Sequence, residues 1–164
     1  MKTTAKPSAI YAGTFDPITY GHLDLVQRGL KIFNRIIVAV AANESKRPLF
    51  SVDERVDMIR SAIGGRARVS VEAFDGLVVD FAKKRKINVL LRGVRMLSDF
   101  EYEFQMALTN RKLAPSIETV FLMPHESYAY LTSRLIKETA LLGADIRAYV
   151  PPYVHRCLKA KIRA

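Results

Sequence analysis

Short apolar runs alternate along this chain with stretches in which apolar residues recur every three or four positions. Residues 9–12 predict a first strand, and Leu23, Val26, Leu30 and Phe33 then repeat at helical spacing. Residues 36–42 contain no polar side chain, the pattern of a strand buried on both faces of a parallel sheet. A polar loop covers 43–48. Ser51 and Glu54 have the spacing of a capping box, ahead of a helix that carries Val52, Val56, Ile59 and Ile63 and stops at Gly64-Gly65. Residues 69–74 read as a third strand, 77–86 as a helix and 87–91 as a fourth strand. Ser98 and Glu101 repeat the capping-box spacing before a helix expected to pack through Phe100, Phe104 and Ala107 or Leu108. Residues 119–123 predict a fifth strand, about 127–142 a long helix, and the chain after Pro151-Pro152 a short one.

Strands separated by helices require right-handed crossovers. They predict an α/β fold: a mostly parallel five-stranded sheet with helices on both faces. No repeat, linker or low-complexity stretch divides the chain, so residues 1–164 read as one domain, with 1–8 expected as a flexible N-terminal segment. In such sheets ligands sit beyond the carboxyl ends of the strands, near the switch in strand order. The loops after strands one, two, four and five therefore carry the information about function.

Composition narrows the class. A hydrophobic content of 49% suits a packed core, and no apolar run approaches the ~20 residues of a membrane span. The polar residues 1–8 lack the apolar stretch of a signal peptide. One cysteine, Cys157, excludes an internal disulfide, fits a reducing cytoplasm, and reads as a packing or surface residue. The net charge of +10 is concentrated. Lys83-Lys84-Arg85-Lys86 and the group Arg156, Lys159, Lys161 and Arg163 account for most of it, with no acid inside either stretch. Solvated helix ends explain both runs. Attraction of a nucleic acid or a polyphosphate is the sharper alternative, although no aromatics are interleaved as in a single-strand binder.

After strand one, Gly13-Thr14-Phe15-Asp16-Pro17 leads to Gly21-His22 at a helix start. Free N–H groups and partial positive charge there attract phosphate, and the two glycines permit close backbone approach. A histidine with a hydroxyl upstream can grip a phosphate whose charge is growing. After strand two comes Ser45-Lys46-Arg47, where Lys46 can neutralise phosphate. After strand four, Leu91-Arg92-Gly93-Val94-Arg95 presents two guanidinium forks suited to phosphate oxygens, or to structural ion pairs. Asp99, Glu103, Met106 and Asn110 share a stripe opposite the expected core face of the next helix. The helix dipole accounts for Asp99, but Glu103 lies deeper. After strand five, residues 124–138 cluster hydroxyls and bases at a second helix start, where His125 alone reads as a surface residue. The chain has no activated Ser or Cys, no metal-ligand cluster, no lysine-terminated Walker loop and no glycine-rich dinucleotide fingerprint. What remains is chemistry by positioning: a polyphosphate is held, a nucleophile is aligned, and charge on equatorial oxygens is stabilised.

Gly13-Thr14-Phe15-Asp16-Pro17 with Thr19-Tyr20-Gly21-His22 resembles the T/HxGH signature of the nucleotidylyltransferase superfamily. Further blocks are Ser45-Lys46 with Pro48, Leu91 to Arg95, Asp99-Phe100-Glu101-Tyr102-Glu103, and Val120-Phe121-Leu122-Met123-Pro124. In this order they resemble the bacterial phosphopantetheine adenylyltransferases over about residues 9–161. The resemblance implies a Rossmann-like enzyme of coenzyme A synthesis that joins ATP and 4′-phosphopantetheine into dephospho-CoA and pyrophosphate, without a covalent intermediate. It also implies Mg²⁺ carried on the nucleotide phosphates, inhibition by coenzyme A, and a cytoplasmic homohexamer that engages neither nucleic acid nor membrane. His22 is then the transition-state stabiliser. Thr14, Phe15, His22, Gly93, Val94, Arg95, Glu103 and the run Tyr128, Ala129, Tyr130, Leu131, Thr132, Ser133 and Arg134 form the ATP site. Thr14, Lys46, Val78 and Arg92 bind phosphopantetheine. Ala12 stands where the family has proline, Tyr20 where it often has asparagine, and Arg134 where it has a small hydroxyl residue; Arg134 either adds a phosphate contact or points away. A nicotinate-mononucleotide or glycerol-phosphate nucleotidyltransferase is the nearest alternative, and a basic nucleic-acid-binding domain the most distant.

Overall fold

A computed structural model describes residues 6–42 and 47–163. In chain order the elements are β1 (Ser8–Gly13), α1 (Tyr20–Ile32), β2 (Arg35–Ala41), α2 (Val52–Ile63), β3 (Val69–Phe74), α3 (Val78–Arg85), β4 (Val89–Gly93), α4 (Leu97–Leu113), β5 (Glu118–Leu122), a 3-10 turn (Glu126–Tyr128), α5 (Ser133–Leu141) and α6 (Pro152–Arg163). The five strands pair in parallel in the order β3-β2-β1-β4-β5. The chain therefore winds outward from β1 to β3, crosses back to β4, and winds the other way. That reversal between β1 and β4 opens a crevice at their carboxyl ends. Of the expected flexible segment, Ser8 opens β1 and the Pro7 carbonyl accepts Asn34 N–H at 2.9 Å; residues 1–5 lie outside the described part.

Alternation along β1 and β2 divides the core. Ala9, Tyr11, Ile36, Val38 and Val40 face a large cluster filled by α1, α2, α5 and α6. Ile10, Ala12, Ile37 and Ala39 face a smaller one closed by Val79, Phe81 and Ala82 of α3 together with Ala114 and Ile117. Gly29 lets α1 lie close on the sheet, since a Cβ there would meet Ile36 Cδ1 at 2.7 Å and Leu91 Cδ2 at 2.9 Å.

The Ser51–Glu54 capping box forms as expected: Glu54 N–H donates to Ser51 Oγ at 3.2 Å and Ser51 N–H to Glu54 Oε2 at 2.7 Å. Gly64 ends α2 in the left-handed region at φ 64°. The helix after the second expected box does not start where that box would place it. Helix α4 starts at Leu97 with Met96 at the cap, so Ser98 stands inside the first turn. The faces of α4 are also exchanged relative to expectation. Phe100, Phe104 and Leu108 are 43%, 47% and 48% exposed, whereas Asn110 is buried and Glu103 and Met106 are half-buried. Hydrophobicity alone chose the aromatic face as the inner one; the sheet end offers α4 an arginine, and the polar stripe turns toward it. The long helix expected over 127–142 is broken. After the 3-10 turn, Thr132 caps a new helix by accepting Leu135 N–H at 2.9 Å. The break gives α5 a free N-terminus beside the crevice.

Both basic runs sit at helix ends. Arg85 pairs with Glu72 and lies 5.1 Å over the Phe81 ring, Lys83 is 3.6 Å from Asp80, and Lys161 bonds Glu54 at 2.9 Å. This geometry matches the solvated-helix-end account.

Candidate active site

The crevice is a cleft of about 590 Å³ walled by the β1–α1 turn, the end of β4, one face of α4 and the start of α5, a volume typical of small-molecule sites. Thr19 caps α1, and His22 occupies the third helical position. His22 N–H donates to Thr19 Oγ1 at 3.3 Å, and Thr19 N–H donates to His22 Nδ1 at 3.1 Å. This is a capping box with imidazole in place of the usual carboxylate. Because Nδ1 accepts a backbone proton, the neutral ring carries its own proton on Nε2, which is left to donate into the cleft. The Phe15 ring packs edge-on against His22 at 5.2 Å and against Tyr11 at 5.2 Å. Burial, reinforced by the positive charges of Arg95 and Arg92, pushes the His22 pKa down to about 3. His22 is thus a neutral hydrogen-bond donor throughout the ordinary pH range. Phe15 itself sits at φ 51°, a conformation costing an L-residue roughly 1–2 kcal/mol. Gly13 makes the resulting ring position possible, because a Cβ there would lie 3.0 Å from the Phe15 ring.

Arg92 leaves the end of β4 and forks onto Glu103: Nε donates to Oε2 at 2.7 Å and the second arm to Oε1, while the remaining nitrogen donates to the Ala12 carbonyl. Burial draws the guanidinium pKa down, but the Glu103 pairing outweighs it and leaves it raised. Arg95 Nε donates to Asp99 Oδ2 at 3.0 Å and another arm to the Leu131 carbonyl. Lys137 pairs with the buried carboxylate of Asp16, and Arg134 with Glu138 at 2.8 Å. Each of these four cleft cations thus rests on a carboxylate of the protein. Ser133 Oγ donates to the Pro17 carbonyl at 2.7 Å, joining α5 to the β1–α1 turn.

Of the residues expected in the site, Thr14, Phe15, His22, Arg92, Gly93, Arg95, Glu103, Leu131, Thr132, Ser133 and Arg134 line this cleft together. Val78, Val94, Tyr128, Ala129 and Tyr130 are not among its lining residues. Val78 opens α3 and packs against the smaller core cluster, while the Tyr128 ring lies against Tyr20 and His125. Lys46 lies outside the described residues. Arg134 stands at the exposed edge of the cleft, its side chain 87% exposed and paired with Glu138. His125 is exposed, as expected, and caps the 3-10 turn. Sequence reasoning missed Tyr11 and Lys137 and left Asp16 without a role. Tyr11 was legible from alternation, since it shares a strand face with Gly13; Lys137 was legible from its i+4 position after Ser133.

Comparison with known proteins shows the family. The cytidylyltransferase-like family model matches residues 10–139. A phosphopantetheine adenylyltransferase of Anaeromyxobacter dehalogenans is 51% identical over 155 residues, covering 94% of each chain. One from Oleidesulfovibrio alaskensis is 52% identical over 161 residues, covering 98% of this chain and 95% of that one. The chain belongs to the phosphopantetheine adenylyltransferase family. The Rossmann-like fold recurs in a bifunctional NMN adenylyltransferase/ADP ribose pyrophosphatase from Francisella tularensis, with a TM-score of 0.70, 15% identity and coverage of 97% of this chain but 50% of that one. It recurs also in the nicotinic acid mononucleotide adenylyltransferase of Plasmodium falciparum, at a TM-score of 0.67 and 16% identity over 96% and 95% of the two chains. These likenesses carry the fold alone. Identity near one half separates the phosphopantetheine adenylyltransferases from those mononucleotide enzymes.

Proposed function

We propose that this cleft transfers the adenylyl group of ATP to 4′-phosphopantetheine, giving dephospho-CoA and pyrophosphate, and so serves coenzyme A synthesis. The carrying observation is the union of the T/HxGH turn with the Arg92 block in one cleft, in a chain half identical to phosphopantetheine adenylyltransferases over nearly its full length. A phosphate oxygen of phosphopantetheine attacks the α-phosphorus of ATP. The bond from that phosphorus to the bridging oxygen of the β-phosphate breaks, and pyrophosphate leaves with the electron pair. No side chain need become covalently linked. His22 Nε2–H donates to an α-phosphate oxygen as its charge grows, and being neutral it gives no proton away. Arg92 and Lys46 hold the phosphopantetheine phosphate. Thr14 contacts both substrates, and the N-terminus of α5 with Thr132, Ser133 and Arg95 receives the nucleotide phosphates.

Magnesium fits this site as a companion of the triphosphate. The cleft carboxylates Asp16 and Glu103 are each engaged by a cation, and among the described residues no group of three acidic, His or Cys side chains converges. Bound there, Mg²⁺ would neutralise phosphate oxygens as the pyrophosphate departs. Coenzyme A contains the product's adenylate and pantetheine parts, which supports inhibition through this same cleft. The exposed apolar face of α4, where Phe100 stacks on Phe104 at 5.6 Å and Leu97 is 86% exposed, supports assembly of copies into a homohexamer. Among the described residues no helix is long and apolar enough to cross a membrane, and we place the enzyme in the cytoplasm.

Purified protein given ATP, Mg²⁺ and 4′-phosphopantetheine should release pyrophosphate. Replacing the acceptor by nicotinate mononucleotide, or the pair by CTP and glycerol phosphate, should abolish release. Turnover with either replacement and none with phosphopantetheine would overturn the assignment.

A further inference from the structure

Tyr11 lines the cleft, yet adenylyl transfer as derived above makes no use of it. The residue is 5% exposed, and its hydroxyl meets no hydrogen-bond partner among the described residues. The one sealed side-chain oxygen without a partner among them is Ser70 Oγ. The Tyr11 oxygen, also unpartnered, is therefore not sealed: it opens onto the cleft. Withdrawing a hydroxyl from water without giving it a bond is costly, and a ligand atom that meets it recovers that cost.

The fold fixes where this oxygen sits. Tyr11 lies on β1 between Val38 of β2 and Leu91 of β4, so Arg92 is one residue further along the neighbouring strand. Its ring packs edge-on against Phe15 at 5.2 Å, Phe15 packs the same way against His22, and the Tyr11 and His22 ring centres are 6.5 Å apart. Arg92, Arg95 and Glu103 are the charges that act on the hydroxyl. Burial outweighs the two arginines and holds the phenol protonated far above its ordinary range, so it meets a ligand as a neutral donor. Arg92 commits its Nε and two further N–H donors to Glu103 and the Ala12 carbonyl, which leaves part of its fork unspent.

We propose that the Tyr11 hydroxyl is a substrate contact: it donates to the phosphate of the acceptor beside Arg92 and fixes the rotation of that phosphate toward the α-phosphorus held by His22. This rests on the adenylyltransferase reading. A guanidinium grips one edge of a phosphate and leaves it free to pivot about that edge. A donor from a second direction, on a ring wedged by Phe15, removes the pivot and orients the attacking oxygen.

Tyr11→Phe removes the hydroxyl and keeps the ring. Pyrophosphate release from ATP and 4′-phosphopantetheine is first measured on the unsubstituted protein; its absence would overturn the underlying function, not the role of Tyr11 alone. Tyr11→Phe should weaken phosphopantetheine binding in calorimetry by about tenfold or more, as loss of a bond to a charged group does, and lower kcat/KM for that substrate at least as much. The ATP dissociation constant should stay within about threefold. Pantetheine, the same acceptor without its phosphate, should inhibit parent and variant with constants equal within about twofold. The melting temperature should not change, because the hydroxyl has no partner inside the protein. A phosphopantetheine affinity within about twofold of the parent's would refute the contact, as would an equal loss with pantetheine. A loss confined to ATP would assign the hydroxyl to the nucleotide instead and overturn the proposal. A fall of more than about 5 °C in melting temperature would show the hydroxyl bonded within the fold, and would overturn it too.

Discussion

Replacing His22 by alanine separates chemistry from packing in this cleft. The substitution removes two things: the Nε2–H donor, and the acceptor that caps Thr19 N–H at 3.1 Å. Loss of one pre-aligned donor at a developing oxyanion costs about 3–4 kcal/mol, so turnover should fall by ~10²-fold or more. Ground-state binding should stay within about tenfold, because the arginines and the α5 N-terminus still hold the phosphates. Loss of the cap acceptor costs about 1 kcal/mol, a shift of roughly 2–4 °C in melting temperature for a domain of this size. His22→Gln divides the two effects. Glutamine at the third helical position can accept the same backbone N–H, so its melting temperature should match the parent while turnover remains depressed. The assay is kcat from pyrophosphate release, with substrate dissociation constants by calorimetry and melting by circular dichroism. If His22→Ala weakened binding a hundredfold and left kcat intact, His22 would be a ground-state ligand and the transition-state role would be wrong.

Four further outcomes can be measured. Lys46→Ala and Arg92→Ala should each weaken phosphopantetheine binding more than ATP binding, read by calorimetry with one ligand at a time. The His22 pKa, pushed down to about 3 in the folded protein, makes the denatured chain the better proton acceptor between that value and about 6.5. His22 therefore favours the fold above about pH 6.5, and its contribution declines as pH falls toward about 3, by up to about 1.4 kcal/mol per pH unit; the urea unfolding free energy of the parent should match that of His22→Gln near neutral pH and fall progressively below it across that window. Gly93→Ala would drive a methyl into buried Leu25 and should lower stability by about 1–3 kcal/mol in urea unfolding. If copies assemble through the exposed face of α4 as proposed, Phe104→Asp should shift sedimentation to smaller species while leaving the circular dichroism unchanged.

Most of the fold was legible because its signals were local. Unbroken apolar runs gave β1 and β2, and the Ser51–Glu54 pair gave the start of α2. The carboxyl-end rule then assembled Thr14, His22, Arg92 and Ser133 into one cleft before any coordinates. The failures share a physical cause, since each turned on what a distant element offered. The inner face of α4 was assigned by hydrophobicity, yet Arg92 recruits Glu103, and the aromatics are left outward for another surface. The helix expected over 127–142 had no proline or glycine to mark its break, and only the capping geometry of Thr132 reveals a restart. Arg55, buried in α2, gave no signal of any kind. An arginine in an amphipathic helix reads as solvated until its four backbone acceptors, the carbonyls of Phe50, Ser51, Thr14 and Ala41, are seen to converge.

The pairing of every described cleft cation with a carboxylate makes the mouth of this enzyme electrically quiet within a strongly basic molecule. An incoming phosphate there displaces an anchored acid rather than a loosely held counterion. A flexible polyanion drawn to the basic helix ends gains little by entering, since it can trade away one partner only by stranding another. A compact substrate that replaces several acids in a single fixed pattern would gain at each exchange, so the ion pairs themselves favour such a substrate.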